Sequence, residues 1–141
     1  MKNVVLTAIG ATGAFIAQAL GGWDTAVIVL LALMGIDYLT GVICALAFHK
    51  SSKTGSGGFS SAVGWQGLAK KCVTLLLVVV ANLLDMQLGA SYIRDGVCIA
   101  FMANEVMSIV ENAGLMGVPI PGVISKALEV LHGDKEKDLN G

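Results

Sequence analysis

The sequence predicts an all-α integral membrane protein, with three to four transmembrane helices followed by a short amphipathic helix, assembled as an oligomer. Hydrophobic residues make up 55% of the 141 residues and charged residues only 13%, and the mean hydropathy of +0.79 lies well beyond the soluble average. Apolar runs recur at about the ~20 residues that cross a bilayer as helix. Small residues also repeat at helical spacing, which suits close contact between helices in lipid.

The first run covers residues 4–20, where Gly10, Ala14, Ala17 and Gly21 follow intervals of four, three and four and line one face. Another helix of the chain or a second copy could pack there. Lys2 ahead of this run and the small residues of "AQALGG" imitate a secretory signal, but the immediate second span favours retention. The second run, 26–48, carries Asp37, Gly41 and Cys44 on one face. Residues 49–67 are dense in Gly and Ser, which predicts a flexible loop, with Phe59 and Trp65 suited to the headgroup level.

The third run covers 68–88, and the fourth, 91–116, is interrupted by Arg94, Asp95, Glu105 and Glu111. Each charge costs about 2.5–3.5 kcal/mol at a helix centre in lipid. This segment therefore inserts only with partner helices or beside water. Arg94, Cys98, Phe101, Glu105, Ser108 and Asn112 follow intervals of four, three, four, three and four, a mostly polar stripe on an otherwise apolar helix. Pro119 and Pro121 disfavour helix just ahead of themselves and end the segment. Apolar residues at helical intervals then predict a short helix over 122–132, a cap for the bundle or a membrane contact. Residues 1–132 thus form one membrane domain, and 133–141 a solvated charged tail.

Lys50, Lys53, Lys70 and Lys71 flank the Gly/Ser-rich loop, whereas residues 21–25 hold no basic residue, so the loop is expected in the cytoplasm with both termini on that side. A formal net charge of −1 gives no electrostatic reason to expect nucleic acid. Three cysteines in apolar segments act as small hydrophobes. No nucleophile–base pair, metal-ligand spacing or phosphate loop points to an enzyme, and no cofactor is expected. The candidate functional residues are the polar face Asp37, Arg94, Asn104, Glu105, Ser108, Glu111 and Asn112, which must be shielded from lipid by protein or enclosed water. An oligomeric ion channel would use such a face as well.

"GIDYLTGV" at 35–42, "KSS" at 50–52, "GLAKK" at 67–71 and "NEVMSIVENAGLMGVPIP" at 104–121 carry a resemblance to the toxin-secretion and phage-lysis holins, the TcdE-like group. Asp37, Gly41, Lys70, Lys71, Asn104, Glu105, Ser108, Glu111, Asn112, Pro119 and Pro121 stand at motif positions. The resemblance implies a multi-pass protein of the host bacterial inner membrane. It would accumulate harmlessly, then homo-oligomerise at a set time into lesions that release a muralytic endolysin or a toxin, without required contact between the two. An antiholin is a partner of the same kind, and an antiholin-type regulator is the related alternative.

Overall fold

The computed structural model describes residues 1–127 and 129–130. Four long helices follow in order: α1 (Lys2–Ala19), α2 (Thr25–Leu46), α3 (Ser61–Leu88) and α4 (Ile93–Leu115). No strand occurs among the described residues. The helix starts are set by side chains that accept from free backbone N–H groups. Asp24 Oδ1 accepts from Val27 N at 3.1 Å to open α2, and Ser60 Oγ accepts from Val63 N at 3.5 Å to open α3. For α4 the cap comes from the previous helix: Asp85 accepts from Ile93 N at 3.0 Å and Arg94 N at 2.9 Å.

Helix α1 ends at Gly21, whose φ of +87° is a left-handed value that other residues rarely adopt. Gly22 N there donates back to Ala17 O at 2.7 Å. Helix α4 stops the same way at Gly117 (φ +82°), so Pro119 and Pro121 follow a helix that has already ended. Residues 118–121 are not helical, and 122–127 and 129–130 are. Val123 and Val130 in that stretch are exposed, so its apolar residues there do not cap the bundle. Leu128 and the rest of the predicted helix to residue 132, with the tail 133–141, lie outside the described residues.

Helices α2 and α4 share the most extensive contact, α3 packs on α4, and α2 touches α3 only sparingly. The first two run parallel, because Arg94 meets Asp24 at one end and Asn112 meets Thr40 toward the other. The apolar core joins Leu20, Val27, Leu30, Met34, Val78 and Cys98. Cys44, Ala45 and Ala81 are buried as well, but many large apolar residues are exposed, and only 28% of the α2 span and 11% of the α3 span is buried. Leu76, Leu77, Val80, Leu83 and Leu84 form a broad exposed apolar surface on α3. Such a surface needs lipid or protein to cover it.

Two expectations are corrected. Two helices, α2 and α3, are long and apolar enough to cross a membrane, not three to four. The charges of α4 exceed what a lone span carries, and Lys2, Asn3 and Gln18 dilute the apolar run of α1. The Gly/Ser-rich connection is shorter than 49–67, because α3 starts at Ser61 instead of Leu68 and takes in Trp65. What remains is tied internally: Ser51 N donates to Gly57 O at 2.9 Å, and Thr54 Oγ1 donates to Gly58 O at 2.8 Å. Helix α1, whose partner the sequence left open, lies along none of the other helices and buries no residue.

Candidate functional site

The equal register of α2 and α4 brings their acidic residues to one depth. Asp37 stands twelve residues into α2 from Thr25, and Glu105 twelve into α4 from Ile93, about 18 Å along each axis at 1.5 Å per residue. Lys71 reaches in from α3 and donates to Asp37 Oδ2 at 2.7 Å and Glu105 Oε2 at 2.5 Å. Asp37 is 5% exposed. Asn112 Nδ2 lies 3.4 Å from Asp37 Oδ1 and donates to Thr40 Oγ1 at 3.2 Å. Gly41 lies against it, where a Cβ would make an ordinary contact at 3.6 Å with that amide nitrogen. Two carboxylates therefore share one ammonium inside the bundle, and a charge left alone at such a site is strongly unfavourable.

A second polar cluster closes the other end. Arg94, 6% exposed, forms a two-pronged pair with Asp24, Nη1 to Oδ2 and Nη2 to Oδ1 at 2.8 Å each. Its Nε donates to Leu20 O at 2.5 Å, and Asn82 Nδ2 donates to Ala19 O at 3.1 Å. These bonds satisfy carbonyls at the end of α1 that have no helical partner. Gly21 is needed here twice over, because a Cβ would fall 2.6 Å from both Arg94 Nε and Asn82 Oδ1. Asp24 lies outside the spans, and the Arg94 hydrogen bond holds its carboxyl at about 2, below the usual 3.8.

Between the Lys71 cluster and the 47–60 loop lies a cavity of about 260 Å³, lined by residues of α2, α3, α4 and the loop. Asn104 and Ser108 join its wall. Glu111 is exposed and Asn104 largely so, and neither belongs to the hydrogen-bonded cluster. Lys50 and Lys53 are exposed in the loop, and Lys70, nine residues into α3, is exposed beside the cluster. On α1, Gly10 and Ala14 are exposed and Ala17 is half-buried. The predicted stripe of α4 faces inward, with Arg94, Cys98 and Asn112 buried and Phe101, Glu105 and Ser108 half-buried.

Sequence reasoning treated Lys71 as a marker of topology and missed it as the ion linking three helices. It also gave no role to Asp24 or to Asp85, which it placed on one face of the third segment with Thr74 and Ala81. An Asp just before an apolar helical run is a start signal, which marks Asp24. No local signal marks Asp85, which caps the next helix.

A helical bundle with buried ion pairs and a largely apolar exterior defines a membrane-associated protein, and similarity narrows the class. The family model described as "Bacteriophage holin family" matches residues 14–133, so the chain belongs to the bacteriophage holin family. It is 34% identical over 109 residues to a probable holin of Bacillus phage phi105, covering 77% of this chain and 75% of that one. It is also 35% identical over 135 residues to a 14.9 kDa protein in the nagH 3' region of Clostridium perfringens, covering 94% and 96%. No solved structure matches.

Proposed function

We propose that the chain gathers in the cytoplasmic membrane of the phage host, assembles with copies of itself, and opens timed lesions through which a muralytic endolysin or a toxin leaves the cell. The observation that carries this reading is the charged cluster Asp37–Lys71–Glu105 held inside a bundle whose outside is apolar. Lipid cannot solvate that seam, but water enclosed by many copies can.

While subunits are sparse, α2, α3 and α4 neutralise one another's charges, and α4 enters the bilayer only in company with α2 and α3. When subunits crowd, the polar faces of α2 and α4 turn from Lys71 of their own bundle toward a shared aqueous wall. The uncovered small-residue face of α1, Gly10 and Ala14, supplies a contact between copies. The lysine-bearing 47–60 loop lies in the cytoplasm. Because α4 runs parallel to α2, the chain beyond Gly117 emerges on the loop side, and the N-terminus joins it if α1 accompanies the bundle. No contact with the released enzyme is required.

Inducible expression in a bacterium, with and without a cytoplasmic endolysin, tests this. Abrupt growth arrest alone, and lysis only with the enzyme, is the expected result. Graded, ion-selective conductance with no release of protein would instead identify an ion channel. A delay of lysis by a separate holin would identify an antiholin-type regulator.

A further inference from the structure

The cavity above the Lys71 cluster has a charge balance that the lesion mechanism does not use. Its lining holds Lys53, Lys70 and Lys71 against only two carboxylates, Asp37 and Glu105. Both carboxylates are engaged by Lys71, while Lys53 and Lys70 pair with no carboxylate among the described residues. The spare positive charge therefore lies on these two exposed lysines. Val42 and Val63 supply apolar wall and Tyr38 a phenol, with Val63 nearer the loop than Lys70 on α3. Gly67 leaves the wall open, since a Cβ built on it meets nothing within 4 Å.

Depth points the same way. The carboxylates lie about 18 Å from the outer helix ends, and a hydrocarbon core is about 30 Å thick. A cavity running from them to the 47–60 loop thus reaches the inner membrane surface, where phospholipid phosphates sit. Basic pockets between membrane helices on the cytoplasmic side hold anionic headgroups.

We infer that this cavity binds the headgroup of an anionic phospholipid, its phosphate drawn in between Lys53 at the mouth and Lys70 further along α3, with Val42 and Val63 beside the carbons of the lipid. The inference rests on the membrane placement and orientation proposed above. Bound lipid would bridge α2, α3 and the loop at the end of the bundle where α1 makes no contact.

Native mass spectrometry of the full-length protein in nonionic detergent tests it, with dioleoyl phosphatidylglycerol, dioleoyl phosphatidylcholine or inorganic phosphate added separately. The expected result is one retained phosphatidylglycerol per chain at least tenfold above phosphatidylcholine. Lys53→Gln with Lys70→Gln should lower that retention roughly ten- to thirtyfold, from ~1 kcal/mol per lysine near an anionic surface. Gly67→Leu fills the cavity, keeps every charge and suits a helix, and should lower it as much, with helix content checked by circular dichroism. Equal retention of the two lipids, or full retention by either variant, would overturn the site. Inorganic phosphate held as well as the lipid would overturn the lipid as its source. A chain that passes the endolysin test yet keeps no phosphatidylglycerol loses only this inference.

Discussion

Lys71 is the residue on which the interior depends, because Asp37 and Glu105 both point at its ammonium. Lys71→Met leaves two carboxylates facing each other without a counter-ion. We expect a loss of about 3–5 kcal/mol in reversible unfolding in mixed micelles. The Asp24–Arg94 pair behaves differently, since half of the Asp24 side chain is exposed and salt screens it. Its carboxyl is held at about 2, mainly by the Arg94 hydrogen bond. A depressed acid stabilises fully above its unfolded value of 3.8 and loses that contribution as pH falls toward 2. Melting temperatures between pH 5 and pH 2 should therefore fall more steeply for the wild-type chain than for Asp24→Asn. The sequence exposed Asp37, Glu105 and Asn112 as misfits in apolar runs, which is why they were legible. Lys71 was not, because a lysine near a span end satisfies the positive-inside pattern whether it faces water or two carboxylates.

At the scale of elements, the inward stripe of α4 could be read from its 3.6-residue period, since one face of a helix is a local property. The solitary state of α1 could not. Its Gly10–Ala14–Ala17 spacing is the same whether the partner is in the chain or in another copy, and the structure leaves the helix uncovered. Two expectations follow. Removing residues 2–17 should leave the unfolding free energy of α2–α4 unchanged within about 0.5 kcal/mol, while reducing cross-linked oligomers in membranes. Gly21→Ala should destabilise by about 1 kcal/mol or more, as the new methyl displaces Arg94 and Asn82 from the end of α1. The helical start at Ser61 was hidden because Gly64 and Gly67 are poor helix formers, an effect that packing of α3 and its Ser60 cap overrides.

At the scale of the molecule, the chain is a helical bundle whose small apolar core is flanked by two buried polar clusters and whose outside is largely apolar. The composition made that outside legible. The number of helices apolar enough to cross is two rather than three to four, because Lys2, Asn3 and Gln18 dilute the short α1 and the charges of α4 let it insert only with partners. A stable closed bundle should delay assembly. Glu105→Gln relieves the sharing of one ammonium by two carboxylates while keeping a hydrogen-bonding side chain, so lysis should come later than in the wild type. An unchanged lysis time would remove Glu105 from the trigger.

The link between α3 and α4 through Lys71 and Glu105 is the central physical claim, and a double-mutant cycle measures it. Unfolding free energies would be determined in mixed micelles for the wild type, Lys71→Met, Glu105→Gln and the double variant. We predict a coupling of about 1–3 kcal/mol between the two positions. Effects that add within about 0.5 kcal/mol would contradict it, and with it the picture of a charged seam held shut by one lysine.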